Sequence, residues 1–435
     1  LIAEAGVDYY RWHLAHAPMD FQDGTATSGP YVHAYHTREG VRIGEYVLEI
    51  TPPALGSTMV VVRSTGKVDA DPTVSRTIET RFAKPSFAKY AVISNADMSI
   101  GADIYGPLHS NGGVYMNAGT AYNVITSAKT TFNSTTTSFV TEWGVYTDSD
   151  PNPPTAFATV TARFTAGREV GTPALDFAGI TVNLAQLKTD AQADGNYYSA
   201  SGGLGYHIVL QTNDTFDLYR VNTAATGGGS CEARQWWSYP TCPSIANAKW
   251  SVGTQTLIGN DVPFPHNGII FAEDHVWVDG QINTARLTIV AATIPDVGNR
   301  KNIIVNNDLL YTNYDGQDVV GLIAQDNFLV GVVSDDNLRI DGAIIAQNGR
   351  VSRYAYRNCG AYSARTSITF YGMFASNQRY AYGNLGSVCT ASPGSFTSGY
   401  NTSRTYIYDP NLLYGPPPSF PLTSDQYQII SWEEI

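Results

Sequence analysis

Charged residues are scarce in this sequence. Asp, Glu, Lys and Arg together make up 15% of its 435 residues, whereas they make up about a quarter of an average globular chain. The charges are also unequal, with 26 basic and 38 acidic side chains and a formal net charge of −12. Nucleic acids and anionic lipids are bound by basic surfaces. The composition therefore argues against both as partners.

Cysteine is scarce too. The chain has four, and none has the Cys-x-x-Cys spacing of zinc and redox sites. Four cysteines allow three pairings, and close neighbours are the favoured partners. We therefore predict disulfides Cys231–Cys242 and Cys359–Cys389, and from them an oxidising, extracellular or cell-surface location. Four free buried thiols are the alternative, which intact-mass measurement with and without reductant would detect.

Long apolar runs are absent as well. No stretch resembles a transmembrane helix of about 20 apolar residues, and no secretory signal peptide opens the chain. The sequence begins Leu1-Ile-Ala-Glu-Ala-Gly6 without an initiator Met. We expect that a segment upstream of Leu1 has been removed, by processing or in the design of the expressed chain.

Glycine, tyrosine and small polar residues are abundant instead, which favours strands and turns. One sequence motif, an apolar strand followed by Asp-Gly and a further apolar residue, occurs at 276–282 and again at 338–344. Related motifs occur at 103–111 and 368–377. Gly within a strand marks a bend, and repeated bends between short strands predict a β-solenoid, or β-helix, whose coils bury their inner faces against one another. A large β-sandwich is the alternative.

The first residues have a different pattern. Residues 1–16 predict a helix with Ile2, Gly6, Tyr9 or Tyr10, His13 and Leu14 on one face, ended by Ala17-Pro18. Three alternating segments follow, at 44–50, 58–68 and 75–82. They predict an antiparallel meander after the helix.

The order of these motifs carries a family resemblance. A helix with Ala3-Glu-Ala-Gly6, then strands with Ser64-Thr-Gly-Lys-Val68 and Arg76-Thr-Ile-Glu79, resembles the accessory pilins of the PilX type in type IV pili. Segments 85–95, 106–112, 416–421 and 427–434 are similar to parts of large pilus-assembly proteins with a β-helical region.

The resemblance implies what the helix does. It would pack against pilin subunits, or against copies of itself, through Ile2, Glu4, Gly6, Tyr9 and Tyr10. Membrane contact would be made only by an upstream hydrophobic half-helix, which is absent from this sequence. Glu4 is not the near-terminal Glu of a mature major pilin, so the assembly role of that Glu is not carried over to it.

We therefore predict a mainly β chain, with an N-terminal helix and antiparallel meander followed by a β-solenoid with an insertion. The predicted parts are a truncated helix and pilin-like sheet (1–90), first solenoid coils (91–125), an insertion with a Cys231–Cys242 loop (126–265), the main β-solenoid (266–400) and a C-terminal tail (401–435).

The cysteine loop is the predicted binding site. It carries Trp236, Trp237 and Tyr239, large and stiff side chains of the kind that dominate contact energies. They would contact a surface glycan or a host surface. The alternative is that they are buried against the solenoid and cap it.

Metal sites are the weaker candidates. Asp148 with Asp150, and Asp315 with Asp318, offer the hard oxygen ligands that calcium prefers, without the spacing of an EF-hand. Four histidines, at positions 13, 16, 33 and 36, are close in sequence but lack a recognised ligand set. We predict no cofactor, with calcium as the one candidate ion.

Enzymatic chemistry has little support in the sequence. Asp residues at 274, 279, 335, 336 and 341 would lie along one solenoid face, and an inverting glycosidase needs two carboxylates about 6.5–9.5 Å apart. However, Asp279 and Asp341 precede Gly in turns, where Asp is favoured for backbone reasons. No serine-hydrolase, zinc-protease or phosphate-loop motif occurs.

The function predicted is that of an extracellular, non-catalytic protein of type IV pili. It would be a structural or adhesion component, as a minor pilin or at the tip. The alternatives are a secreted β-helical enzyme acting on polysaccharide and a subunit that assembles into its own filament.

Overall fold

A computed structural model describes residues 1–133, 141–150, 162–177, 183–391 and 394–435. Within these residues the chain is mainly β, with the helices α1 (Ile2–His16) and α2 (Asn183–Asp194) and short 3-10 helices at Phe87–Lys89, Trp236–Ser238, Gly360–Tyr362 and Pro410–Leu413. The strands are β1 (Tyr31–His36), β2 (Arg42–Thr51), β3 (Val60–Val68), β4 (Asp71–Ala83), β5 (Val92–Ser94), β6 (Met98–Gly101), β7 (Asp103–Tyr105), β8 (Leu108–Ser110), β9 (Val114–Ala118), β10 (Ile125–Ser127), β11 (Thr131–Asn133), β12 (Thr141–Trp143), β13 (Val145–Tyr146), β14 (Arg168–Val170), β15 (Asn196–Tyr198), β16 (Gly205–Leu210), β17 (Thr215–Val221), β18 (Glu232–Arg234), β19 (Ser244–Ile245), β20 (Gln255–Pro263), β21 (Ile269–Ala272), β22 (Val276–Ile282), β23 (Arg286–Ala291), β24 (Ile303–Val305), β25 (Leu309–Tyr311), β26 (Val319–Ala324), β27 (Phe328–Val330), β28 (Asn337–Ala346), β29 (Val351–Arg353), β30 (Ala355–Arg357), β31 (Ala364–Ser376), β32 (Gly399–Tyr408) and β33 (Gln428–Glu434).

The chain divides into two compact units. Unit 1 comprises residues 1–87, 413–416 and 420–435, and unit 2 comprises residues 88–412 and 417–419. The chain thus leaves unit 1 after Phe87 and returns to it at Leu413. The predicted tail at 401–435 is therefore wrong as a separate part, because its residues are shared between the two units.

Unit 1 is an antiparallel sheet covered by one helix. Its strand order is β1-β2-β3-β4-β33, and every neighbouring pair is antiparallel. The apolar face of α1 packs on the sheet, which contributes the alternate apolar residues of β2, β3 and β4. The helix and the three strands of the meander agree with the prediction. The strand β33 was not predicted.

Gly6 sets the distance between α1 and the sheet. A Cβ atom at this position would lie 2.2 Å from Ser64 Oγ and 2.8 Å from Cδ2 of Tyr46. Both distances are shorter than van der Waals contact. The helix can therefore lie this close to β2 and β3 only because residue 6 has no side chain.

Unit 2 is built from parallel ladders. One ladder runs in the order β15-β21-β23-β26-β28-β31-β5-β8-β10-β14, with every pair parallel. A second runs β16-β22-β25-β28-β31-β32-β7, and a third runs β22-β24-β27-β29. The strand β31 joins the early strands of the chain to the late ones.

The core of unit 2 follows this register. One row of paired residues along the first ladder has no exposed surface: Ile270, Ile289, Leu322, Ile344, Phe374, Val92, Leu108 and Ile125. Burial of each such side chain contributes roughly 1.5–3 kcal/mol. The row explains why the strands of this unit are rich in Val, Ile and Leu.

The predicted insertion at 126–265 differs from what is found. Its strands β10, β14, β15 and β16 belong to the parallel ladders, so this stretch is not separate from them. Residues 134–140, 151–161 and 178–182 of it lie outside the described residues. No helix in the described part of the chain is both long and apolar enough to span a bilayer.

Candidate binding site

Two disulfides hold the loop that was predicted to bind a ligand. They join Cys231 to Cys359 and Cys242 to Cys389, with Cα atoms 4.3 and 5.5 Å apart. The predicted pairing of close neighbours is therefore wrong. The cause is the antiparallel pairing of β18 with β30, which brings Cys231 beside Cys359 across 128 residues.

The three aromatic residues of the loop lie in three different environments. Trp236 is 3% exposed, and its Nε1 donates to the carbonyl oxygen of Arg353 at 2.9 Å. Trp237 is half-buried beneath the guanidinium of Arg350, 3.9 Å from its ring centroid. Tyr239 is 43% exposed. The expectation of a joint aromatic binding surface is wrong for Trp236, which packs as a cap.

A cleft in unit 2 is lined in part by Cys231. Its volume is 730 Å³, within the range of about 300–1,000 Å³ typical of small-molecule sites. Its floor is formed by Trp250, His275 and Trp277. The rings of Trp250 and His275 meet edge to face with centroids 5.1 Å apart, and the two indoles are 6.4 Å apart.

The floor of the cleft is uncharged at neutral pH. Burial, together with the nearby Lys301 ammonium, lowers the pKa of His275 to about 4. The neutral ring accepts a hydrogen bond at Nδ1 from the backbone N–H of Asn302 at 3.0 Å. His275 is therefore a half-buried, neutral hydrogen-bond acceptor in the cleft.

The rim of the cleft is polar and of mixed charge. It includes Thr226, Glu232, Asn247 and Lys249. Glu232 accepts hydrogen bonds from Arg234, the shorter at 2.6 Å. A floor of ring faces with hydroxyl, amide and opposed charged groups at the edge suits an uncharged ligand that has both an apolar face and hydroxyl groups.

Sequence reasoning did not find this cleft. The residues that line it come from five separate stretches between 204 and 277. A signal was present in Trp250 and Trp277, two large aromatic residues near the cysteine loop. No spacing rule connects them, because the chain between them first pairs β20 with β17.

The predicted assembly face of α1 is already occupied. Ile2, Gly6 and Tyr10 are buried against the sheet of unit 1. Tyr9 is half-buried and donates its hydroxyl to Asp23 at 3.0 Å. Of the five predicted residues only Glu4 is exposed, where it pairs with the N-terminal amine at 3.1 Å. As an assembly surface, this set is wrong except for Glu4.

The opposite face of α1 is exposed. It consists of Glu4, Asp8, Arg11 and Trp12, and the indole of Trp12 is 58% exposed. A partner subunit that packs on this helix would contact charges and one aromatic ring. It would not meet the apolar face that the resemblance implied.

The oxygens of the calcium candidates are already engaged. Asp150 is buried and holds Arg168 through two hydrogen bonds of 2.5 and 2.6 Å. Asp148 accepts a tyrosine hydroxyl at 2.8 Å, and Asp318 accepts three backbone N–H groups. Asp315 is exposed and accepts the backbone N–H of Gln317 in the same loop. Among the described residues no group of three or more His, Cys, Asp or Glu side chains is arranged to hold a metal.

The clustered histidines of unit 1 pair with carboxylates. His13 lies 3.2 Å from Asp20, and His33 lies 2.7 Å from Asp23. These are two separate pairs, which tie α1 and β1 to the loop between them. They do not assemble the ligand set that a zinc ion would need.

The Asp-Gly aspartates serve the backbone and neighbouring side chains. Asp341 is fully buried, accepts the N–H of Tyr311 at 3.0 Å, and bonds Arg339 at 2.8 Å. Burial raises the pKa of Asp341. Asp279 accepts from Asn307 at 2.6 Å and lies 3.2 Å from His207.

The other acidic residues of this face are engaged in a similar way. Asp274 accepts both the N–H and the hydroxyl of Ser201, and Asp336 accepts the hydroxyl of Thr366 at 2.6 Å. Burial raises the pKa of Asp335, and the adjacent carboxylate of Asp308 adds to the effect. Each of these contacts ties one segment of unit 2 to another.

Comparisons with known proteins give a structural likeness and no sequence relative. No protein-family model matches the chain, and no curated protein matches it. Among solved structures it is similar to the competence-associated pilin ComZ from Thermus thermophilus, at 12% identity and a TM-score of 0.36. The match covers 100% of this chain and 96% of that chain. At this level of likeness the function is argued from the residues of the chain itself.

Proposed function

We propose that this protein is a non-catalytic, extracellular component of type IV pili, built as a pilin-like unit that carries a β-solenoid. One observation supports it above the others. A single helix covers one face of an antiparallel sheet. Two neighbouring strands of that sheet, β4 and β33, are separated in sequence by the whole of unit 2. The solenoid is thus an insertion into the pilin-like unit.

The β-solenoid rests on the parallel ladders of unit 2. Successive pairings in the first ladder are offset by about one coil of chain, as in Ile289 with Leu322 and Leu322 with Ile344. The paired side chains form a continuous buried row. Stacked coils of this kind bury apolar surface only against their neighbours, which is the arrangement proposed here.

The extracellular location rests on the disulfides. Both bonds join segments more than a hundred residues apart, and such bonds persist in oxidising compartments. The low charge of the chain is in keeping with a protein exposed outside the cell.

Pilus association can be tested in piliated source cells. An epitope-tagged chain should sediment with pili sheared from the cell surface. An Asp8→Arg/Arg11→Glu variant, changed on the outward face of α1, should lose this association. The same exchange at Asp296 and Arg300, an exposed ion pair in unit 2, is the matched control.

Equal recovery of all three proteins with pili would contradict a role for the helix face. Absence of the unchanged protein from pili would overturn the assignment, and ordered filaments of that protein alone in electron micrographs would favour the self-assembling alternative.

The proposed adhesion ligand is an uncharged saccharide in the Trp250 cleft. Sugar rings present an apolar face to an aromatic ring and hydroxyl groups to its surroundings, and amphipathic aromatic side chains suit such mixed contacts. The uncharged His275 and the opposed charges of Glu232 and Lys249 give no preference for a charged ligand. Tyr239, the exposed aromatic residue of the predicted loop, lies outside this cleft.

A glycan array tests the ligand. The purified chain should bind neutral oligosaccharides, and Trp250→Ala should weaken binding at least tenfold, about 1.4 kcal/mol. Trp432→Ala, at a tryptophan 45% exposed in unit 1, should leave binding unchanged. Retained binding in Trp250→Ala, or no neutral glycan bound, would remove the cleft from the proposal. The pilus assignment would be unaffected.

The polysaccharide-active alternative has less support. The acidic residues that would carry it are engaged in hydrogen bonds to backbone and neighbouring side chains, as with Asp341 and Asp274. Release of reducing ends or unsaturated products from the glycans that bind would restore it.

A further inference from the structure

A second cavity in unit 2 is lined by two arginines and by no acidic residue among those described. Its volume is 240 Å³, and its lining includes Trp236, Arg379 and Arg404 with the small polar residues Asn117 and Asn384. None of the described residues that line it is Asp or Glu. This composition is unusual in a chain with 38 acidic and 26 basic side chains.

Arg404 is fixed in the wall of this cavity by backbone oxygens. Its Nη2 donates to the carbonyl of Gly101 at 2.6 Å, and its Nη1 donates to the carbonyl of Tyr400 at 2.7 Å. A Cβ atom on Gly383 would lie 2.3 Å from Nη1. The guanidinium of Arg404 therefore occupies space that a side chain at position 383 would fill. Neutral acceptors satisfy the hydrogen bonds of Arg404 but leave its charge unbalanced.

Arg379 also lacks an ion-pair partner. No carboxylate of the described residues lies within 4.0 Å of its guanidinium or of that of Arg404. The guanidinium of Arg379 lies 5.8 Å from the ring centroid of Trp236. Burial lowers its pKa, and the more distant Asp97 acts in the opposite direction. The carboxylate of Asp97 is bonded to the N–H of Gly113 at 2.7 Å.

A third arginine adds to the positive charge of this region. Arg350 packs on Trp237, and burial, together with the nearby charge of Arg379, lowers its pKa to about 10. Cations withdrawn from water without a counter-charge are costly. An anion in the cavity would offset that cost, and the guanidinium fork matches the two oxygens of a carboxylate, sulfate or phosphate.

We infer that this cavity binds a small oxoanionic group carried by a ligand of unit 2. The volume admits one acidic group or one small acidic molecule, and Asn117 and Asn384 offer further hydrogen bonds. The site is separate from the Trp250 cleft. It does not depend on the pilus assignment, because its argument uses only the charges and contacts of unit 2.

The test is titration calorimetry at low ionic strength. The probes are sodium glucuronate, sodium sulfate and sodium phosphate, each at low millimolar concentration, with sodium chloride of matched ionic strength as reference. At least one probe should give saturable heat with the unchanged protein. Arg379→Gln should weaken that binding at least tenfold, because glutamine keeps a hydrogen-bond donor but removes the charge and the guanidinium fork. Arg300→Gln, at an exposed arginine paired with Asp296, should bind as the unchanged protein does.

A second readout separates binding from a structural role. Without any probe, Arg379→Gln should melt at the same temperature or higher, because it removes a half-buried charge that has no ion-pair partner among the described residues. With the probe, only the unchanged protein should gain in Tm. The probe that binds identifies the source of the anion as a carboxylate, a sulfate or a phosphate. Absence of saturable heat with all three, or an equal gain in Tm for both proteins, would overturn the inference.

Discussion

The two units of this chain bury their hydrophobic residues in different ways. Unit 1 buries one face of α1 against one face of an antiparallel sheet, and the other faces of both are exposed. Unit 2 stacks parallel strands so that a side chain of one strand covers the same position of the next. An error in unit 1 is therefore confined to one interface, whereas an error in unit 2 disturbs a row with neighbours on both sides.

The largest expected effect is on that row. Ile344 has no exposed surface and is paired with Leu322 and Phe374. Ile344→Asp removes their packing and buries a carboxylate, so we expect a loss of at least about 4 kcal/mol from the free energy of unfolding. Thermal unfolding followed by circular dichroism measures it. Ile258→Asp makes the same change at a side chain 50% exposed in β20 and should have little effect. Equal melting of the two variants would show that Ile344 does not face the core.

Loss of a disulfide should destabilise unit 2 and leave the unfolding of unit 1 unchanged. All four cysteines lie in unit 2, and their bonds close loops of 128 and 147 residues. Loss of one such bond should cost about 3–4 kcal/mol. A Cys231→Ala/Cys359→Ala variant should therefore melt earlier in unit 2, while the transition of unit 1 stays in place. A shift of both transitions by the same amount would contradict independent units.

The histidines sharpen the comparison through pH. His13 and His33 of unit 1 lie beside carboxylates, whereas the pKa of His275 in unit 2 is lowered to about 4 by burial and by Lys301. The unfolded pKa is about 6.5, so the unfolded state binds the proton more tightly between these values. The stability of unit 2 should thus fall as pH falls from about 6.5 to 4, by about 3 kcal/mol at most. Urea unfolding over this range measures the fall.

His275→Gln should flatten that dependence. His266→Gln, at a histidine whose side chain is 93% exposed, should leave it as it is. Parallel pH curves for the unchanged protein and His275→Gln would show that this histidine is not the group responsible.

The smallest effect is expected at the single interface of unit 1. Gly6→Leu places a side chain where Ser64 and Tyr46 now lie, and overpacking of this kind costs about 2 kcal/mol. Asp8→Leu introduces the same residue on the exposed face of α1 and should leave unit 1 as stable as before. Similar stability in the two variants, measured by the unfolding of unit 1, would mean that the helix does not rest on the sheet as described.

Sequence periodicity was enough to predict most of unit 1. The spacing of Ile2, Gly6, Tyr10 and Leu14 gave the helix and its buried face, and alternation gave the meander. The strand β33 was missed because it is an edge strand with most residues exposed, so it has no alternation to detect. Its partner β4 is also more than 340 residues away in the chain.

In unit 2 the sequence motifs predicted local strands and bends, but they did not predict which distant strands pair. The two Asp-Gly motifs lie in β22 and β28, which belong to one ladder with β25 between them. The disulfides were mispaired because β18 pairs with the distant β30. The two arginines of the small cavity, Arg379 and Arg404, become neighbours only when the strands are stacked. No spacing in the sequence marks a site assembled in this way.

The pairing of β33 with β4 has a consequence for synthesis. A ribosome makes β4 early and β33 only after the whole of unit 2 has been translated. Until then β4 has an open edge, which is a template for pairing with other chains. A chain that ends within unit 2 therefore lacks β33 and keeps the edge of β4 unpaired.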